Sequence, residues 1–491
     1  MLSQLPALQV VIPLIAAPLC VVLRNKEIAC LVSQVVSILS FLISLILLQQ
    51  VLQEGIISYA LGGWLAPVGI EYRLDILNSF ILVIISGISS IVTLYSKKSV
   101  NFEIESEKIY LFYTGYLLMF SGLLGMTITG DAFNVFVFIE ISSLSSYAMI
   151  AMGKDRRAVS AAFTYLVMGT VGATFFLIGV GLMYSMTGTL NMADLAERLP
   201  KVYDTKAILV SFAFISIGIL LKLALFPLHL WLPNAYTYAP SVVSAFLSAT
   251  ATKVAIYILI RFGYSVFGSD FVFSKYPTAE ILASLSIIAI VVCSIVAIFQ
   301  TNIKRLLAFS SLAQVGYIVL GISFNNINGL TAAIVHIFNH AMSKGALFLA
   351  MGCIAIVIGS VKIKDINGLG KKMPFTAFAI VIGGLSLIGV PLTAGFISKW
   401  YLVLGAIDKG WWPLAIILLL TSLLALVYVW RVVEVMYFRS DPNSPEVKEA
   451  PLSMVIPLYI LVAMTIYFGI ETSFSAGLAN EAAEYILGIS E

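Results

Sequence analysis

Four lysines lie deep inside apolar stretches of this chain: Lys222, Lys253, Lys344 and Lys399. Glu140, His336 and His340 also stand in apolar runs. A charge held at membrane depth costs from about 2.5 to above 10 kcal/mol. Such residues usually face the interior of a helix bundle and serve ion or proton movement. One carboxylate, several amines and two imidazoles are the components of a proton wire, in which each group takes a proton from one neighbour and yields it to the next.

Burial disfavours the charged form of both a carboxyl and an amine. Placed together, the two groups stabilise each other's charges. Glu140 and Lys222 are the natural pair, and proton arrival or departure would switch that pair on and off. A static buried salt bridge is the plainer reading. Lys253 has Ser, Thr and Ala neighbours, which suit a hydrated pocket. Snorkelling to the interface is its alternative.

His336, His340 and Lys344 follow one another at intervals of four. They spread over only about 80° of one helix face, and Asn339 widens the same stripe. Histidine titrates near neutral pH and both takes and gives protons. Two histidines at this spacing also make half a zinc site. The glutamate that a metalloprotease motif sets between them is missing, and no cysteine is near. The stripe therefore reads as a relay, with no metal and no cofactor expected. Arg431 and Glu434 read as a boundary salt bridge, and Lys304 with Arg305 as surface anchors.

These groups need a membrane scaffold. The chain has 491 residues, 60% hydrophobic and 11% charged, with mean hydropathy +1.03. A soluble protein of this length could not hide so much apolar surface. Runs of about 18 apolar residues read as membrane helices, and the sequence supplies about 14 of them. The expected class is an all-α polytopic membrane protein. Span 5 covers 131–152, span 7 covers 207–231, span 8 covers 236–262, span 10 covers 303–323, span 11 covers 329–359 and span 12 covers 374–404. The first span, 5–23, lacks the basic lead-in of a signal peptide. Cys20, Cys30, Cys293 and Cys353 form no Cys-x-x-Cys pair and read as packing residues, not as iron–sulfur ligands.

Most Lys and Arg outside the spans follow odd-numbered helices. Basic loops mark the cytoplasmic side. Both termini are then expected on the external side of the cell membrane. The tail, with Glu481, Glu484 and Glu491 and no basic residue, agrees.

Two blocks of the chain echo each other. Phe138–Leu144 resembles Leu306–Leu312, Gly181 and Gly188 match Gly352 and Gly359, and Leu223–Leu228 resembles Leu387–Leu392. The matches keep their order at nearly constant spacing. They divide the chain into 1–107 with spans 1–3, a five-helix repeat at 108–262, a second at 263–438, and 439–491 with span 14 and a short tail. An odd number of spans inverts the second copy across the membrane, as in many transporters. Pro227 and Pro391 fall in spans 7 and 12. Proline removes a backbone donor and clashes with the preceding turn, so both spans are expected to be discontinuous. His229 follows the first break and Lys399 the second.

The segments Leu221–Ala235, Lys304–Tyr317 and His336–Phe348 resemble the antiporter-like subunits of Mrp-type multisubunit Na+/H+ antiporters, respiratory complex I and membrane-bound hydrogenases. The Gly62–Ile70 stretch resembles the D-type Mrp protein. The resemblance implies 14 helices, inverted five-helix repeats and a charged axis along the membrane midplane. It assigns Glu140 to the fifth-helix glutamate, Lys222 and Lys253 to the seventh- and eighth-helix lysines, His336, His340 and Lys344 to the eleventh-helix relay, and Lys399 to the lysine near the exit. The implied function is proton translocation, most simply in an Mrp-type Na+(K+)/H+ antiporter. The alternative is a proton-pumping subunit of a respiratory dehydrogenase or hydrogenase. Expected partners are other membrane subunits, the lipid bilayer, protons and Na+, and no nucleic acid. A stand-alone solute permease, a membrane enzyme with loop-borne catalytic groups and a passive scaffold are the rivals. The lysine ladder is longer than a substrate pocket requires, and the loops are short and poor in His and Asp clusters.

Overall fold

A computed structural model describes residues 2–439 and 447–489. Glu491 and the stretch 440–446 lie outside them. Among the described residues, 13 helices are long and apolar enough to cross a membrane. The shorter helices Pro374–Ile388 and Ala394–Asp408 follow each other across a break in the stretch read as span 12. A 19-residue helix such as Leu5–Leu23 rises about 28 Å, close to the roughly 30 Å of the hydrocarbon layer.

Helix Ile327–Ile358 is the hub of the bundle. It packs against Ile303–Ser323, Ser241–Ala249, both halves of span 12, Leu452–Ile470 and the C-terminal helix Ser473–Leu487. Ile303–Ser323 is buried at every residue but Arg305. The outer helices behave oppositely: Phe163 and Val167 on Arg157–Thr187, and Leu419, Leu420 and Leu423 on Trp412–Tyr437, point outward. Lipid is as apolar as leucine, so hydrophobicity alone does not hold membrane helices together, and small polar contacts contribute. The Ser37–Ser89 and Ser44–Ser86 hydroxyl pairs, at 2.9 and 2.8 Å, tie Lys26–Glu54 to Ile76–Glu103 in this way.

Span 7 is interrupted. Helix Lys206–Leu223 stops at Ala224, whose φ of 59° is left-handed, and the chain resumes as Trp231–Tyr238. Pro227 sits between the two, after a cis peptide bond. The carbonyls left free are met locally: Leu225 N donates to Leu220 O, and Trp231 Nε1 donates to Leu221 O at 3.0 Å. Span 12 is interrupted at Gly389, φ 85°, and resumes at Ala394 after Pro391. Gly395 is fixed there by close approach, because a Cβ would come within 1.9 Å of Ser386 O. A third interruption, read as continuous helix from the sequence, splits span 8 at Thr250 (φ −126°, ψ −54°) into Ser241–Ala249 and Ala251–Ile260.

Matching features occur in both central stretches. Asp131 and Asn302 cap the helices Ala132–Ala151 and Ile303–Ser323. Each forms an isolated antiparallel bridge, to Asn191 and to Lys362. The long helices Arg157–Thr187 and Ile327–Ile358 each end on a left-handed glycine, Gly188 and Gly359.

Two elements add detail to the expected all-α fold, and two expectations need correction. Beside the helices, Ile57–Ala60 and Glu71–Leu74 form an antiparallel hairpin around the Gly62–Ile70 stretch. Such short strands carry too little apolar periodicity to read. The short tail forms the helix Ser473–Leu487, which buries Ala476, Ala479, Ala482 and Ala483. Its small buried face is what hid it. Arg431 does not pair with Glu434. It donates to the carbonyls of Ile298 and Gln300, while Glu434 pairs with Arg439 at 3.0 Å. Lys304 is no surface anchor. It is buried, with Nζ 3.0 Å from Ser241 Oγ.

Candidate proton-relay site

Helix Ala132–Ala151 carries Glu140, Ser143 and Tyr147 on one face, since residues three and four apart are neighbours. Lys222, one residue before the end of Lys206–Leu223, donates to Ser143 Oγ at 2.6 Å and reaches Tyr147 Oη at 3.5 Å. Glu140 and Lys222, both described, make no direct ion pair, and Glu140 Oε1 is buried without a hydrogen-bond partner. The ammonium thus rests on a hydroxyl of the helix that carries Glu140, and not on the carboxylate itself. A cavity of about 40 Å³, lined by Ser142, Ser143, Ser146, Lys222, Ala251 and Ala255, opens from this point toward span 8. A water needs about 10–15 Å³ of such space and two to four polar partners.

Lys253 lies just past the Thr250 interruption, fully buried. Its Nζ donates to Ser248 O, one of the carbonyls in the broken turn, and approaches Thr252 Oγ1 at 3.4 Å. Lys399 does the same at span 12. It donates to Leu387 O at 3.1 Å, to Ile388 O at 2.8 Å and to Ser422 Oγ at 3.0 Å. In both places an ammonium satisfies the carbonyls that an interrupted helix leaves free. Unwound backbone at membrane depth requires such partners.

The histidine stripe sits between them. The histidine helix, Ile327–Ile358, packs against Ser241–Ala249, which leads to the Lys253 break, and against Ala394–Asp408, which carries Lys399. His340 has both ring nitrogens buried and unpartnered, and stacks on His336 with centroids 5.9 Å apart. His336 is fully engaged, with Nδ1 2.7 Å from Ser398 Oγ and Nε2 2.8 Å from Gln314 Oε1. The amide of Gln314 in turn donates to Leu387 O at 3.4 Å, the carbonyl that also receives Lys399. One chain of contacts thus runs from His336 through Gln314 to the second break.

Lys344 lies at the end of the stripe away from His336, on Leu307 O and Ser310 Oγ, both at 2.9 Å. His229 stands apart from the axis. Its ring packs on Phe226 and Phe309, and its Nδ1 is buried without a partner. Ser143, Ser248, Gln314 and Ser398 were not singled out from the sequence. A buried glutamine in an apolar helix was the one legible signal. The serines look like ordinary helix-packing residues.

Residues 129–425 match the family described as NADH:quinone oxidoreductase/Mrp antiporter, TM. Subunit N of the NADH-quinone oxidoreductase of Desulforudis audaxviator is 40% identical over 87% of each chain. The D-type component of the Na(+)/H(+) antiporter of Bacillus subtilis is 29% identical over 98% of this chain and 96% of that one. Among solved structures, a chain of the membrane-bound sulfane sulfur reductase, an archaeal respiratory membrane complex, superposes with TM-score 0.90 at 33% identity, covering 99% of this chain and 98% of its own. A chain of the Mrp complex from Dietzia sp. DQ12-45-1b gives TM-score 0.90 at 25% identity, covering 99% and 97%. With its broken helices, buried lysines and histidine stripe, this chain belongs to the NADH:quinone oxidoreductase/Mrp antiporter transmembrane family.

Proposed function

We propose that this chain is the antiporter-like, proton-translocating subunit of a multisubunit membrane complex, an Mrp-type Na+(K+)/H+ antiporter in the first reading. It is a transporter subunit, and any redox chemistry belongs to its partner subunits. The observation that carries the reading is the axis of buried titratable groups: Glu140 and Lys222, then Lys253, His340 and His336, then Lys399, with Lys344 joining at His340. Charge at Glu140 biases Lys222, whose ammonium rests on the Ser143 hydroxyl. A proton released there passes toward Lys253, then along the histidines to Lys399. His229 enters as a flanking member near the first break.

The matched caps, bridges and glycines support treating 108–262 and 263–438 as the two inverted five-helix repeats, between 1–107 and 439–491. The basic loops support a cell-membrane orientation with that face cytoplasmic and both termini external. A second reading, a proton-pumping subunit of a respiratory complex, is favoured by the 40% identity to the Desulforudis protein. The test is Lys222→Ala and Lys253→Ala in the assembled complex. The proposal expects assembly to survive while proton flux in everted vesicles falls to background. Normal flux in either variant would remove that residue from the relay.

A further inference from the structure

A cavity of about 630 Å³ opens on the basic face, lined by Glu103, Glu105, Lys108, Gly153 and Lys154 among others. Glu103 is the last residue of helix Ile76–Glu103 and is half-buried. Its carboxylate turns inward. Oε1 accepts from Ser99 Oγ at 2.8 Å, and Oε2 accepts from the backbone N of Ser241 at 2.9 Å. Ser241 opens the first half of span 8, so the carboxylate also faces the positive end of that helix. The hydroxyl of the same serine receives Lys304 Nζ at 3.0 Å. Lys304 is 5% exposed and forms no ion pair among the described residues.

Lys304 begins a polar track on helix Ile303–Ser323. Lys304, Leu307, Ser310 and Gln314 fall within about 120° of its circumference. Leu307 O and Ser310 Oγ hold Lys344, and Gln314 holds His336. From Lys304 to Ser310 the helix rises only about 9 Å.

We propose that Glu103 and Lys304 form the proton inlet from the basic face, feeding the midplane axis at Lys344. The inference rests on the relay reading above. Glu103 takes a proton from cavity water and becomes a neutral carboxylic acid. The proton passes across Ser241, which Glu103 meets at the backbone N and Lys304 at the hydroxyl, to an unprotonated Lys304 amine, which becomes an ammonium as Glu103 returns to carboxylate. Lys304 then discharges along the Ser310 side of its helix to Lys344. A capping role alone would leave Glu103 with no reason to face a cavity on one side and a buried lysine beyond Ser241.

The experiment uses the whole complex in everted vesicles, with assembly followed on native gels. Glu103→Gln keeps the shape and one acceptor but cannot carry the proton. It should lower flux by about 100-fold, the low end for a positioned proton-transfer group, and Glu103→Asp should recover part of it. Lys304→Gln should match the loss and reads the same link if the Glu103 variant assembles poorly. Glu103→Cys should react with a membrane-impermeant methanethiosulfonate sulfonate applied to the basic face, since the four native cysteines are buried. The sulfonate restores negative charge but holds no proton, so flux should stay low. Recovery by the sulfonate would mean that Glu103 acts by charge alone and would overturn the inlet. Normal flux in Glu103→Gln with Lys253→Ala inactive would overturn the inlet and leave the relay standing. Normal flux in Lys253→Ala would remove the relay itself.

Discussion

Lys222 Nζ stands 2.6 Å from Ser143 Oγ, one helical turn along from Glu140, whose Oε1 has no hydrogen-bond partner. Direct contact would lock two opposite charges together, because breaking a buried pair from one side costs about 3–5 kcal/mol. Lys222 rests instead on a hydroxyl, a group that both donates and accepts.

Ser143→Ala should therefore slow proton transport without preventing assembly. A hydrogen bond to a charged group contributes about 1.5–3 kcal/mol, so flux should fall by roughly 10- to 100-fold if that term enters the barrier. Ser143→Thr keeps the hydroxyl and should stay near the parent. Acidification of everted vesicles measures both. Equal flux in the alanine variant would show that Lys222 is charged and discharged by another path.

Gln314 joins His336 to the carbonyl of Leu387 and so to Lys399. Gln314→Leu removes that bridge and leaves His336 Nε2 without its partner. An unsatisfied buried polar group costs about 1–3 kcal/mol, so thermal stability of the complex should drop modestly. Flux should drop far more, and Gln314→Glu, which still accepts from the imidazole but cannot donate to Leu387 O, should recover only part of it. A Gln314→Leu complex that is less stable but transports at full rate would take Gln314 out of the path.

The axis was legible because charge in an apolar run is conspicuous, and the prolines at 227 and 391 mark the two broken spans. What the sequence hid has a common cause. The Thr250 interruption has no proline or glycine to announce it, and Lys253 supplies the missing donor from inside the same helix. Ser143 and Ser398 are ordinary residues whose importance comes from what tertiary packing sets opposite them. Lys304 follows a loop and sits beside Arg305, so linear position alone made it an anchor, while the fold buries it under Ser241. The hairpin at 57–74 and the alanine-faced C-terminal helix lack the strong periodicity on which such reading depends.

Asp75 and Arg261 form the most buried ion pair among the described residues, 2.7 Å apart with side chains 3% and 12% exposed. Asp75 also caps helix Ile76–Glu103 through a reciprocal contact with Asn78, and Arg261 donates to Tyr257 Oη and Ser265 Oγ. Removing one charge strands the other, at about 3–5 kcal/mol. Asp75→Asn should cost less than Asp75→Ala, because asparagine still caps. Arg261→Met should be severe, and adding Asp75→Asn to it should recover part of the loss. Thermal unfolding of the detergent-solubilised complex measures the series. Additive losses in the double variant would show that the two groups do not act as a pair.

Gly389 ends the first half of span 12 with φ 85°, and a Cβ there would meet Lys399 Cδ at 2.7 Å. Two separate effects follow from Gly389→Ala. The left-handed backbone costs a non-glycine residue roughly 1–2 kcal/mol, a loss the bundle should survive. The methyl also pushes the Lys399 stem away from Leu387 O and Ile388 O, the carbonyls its ammonium satisfies. The lysine end is flexible, so it moves before the backbone does. Gly389→Ala should assemble with slightly lowered stability and lose most of its transport. Ala224, left-handed at the other break with φ 59°, already carries a Cβ, so Ala224→Gly should be neutral or mildly stabilising and leave flux unchanged. Comparing the two separates backbone strain from displacement of the lysine. If Gly389→Ala transports normally at its reduced stability, contact between the Lys399 ammonium and the broken helix end is not needed for proton release.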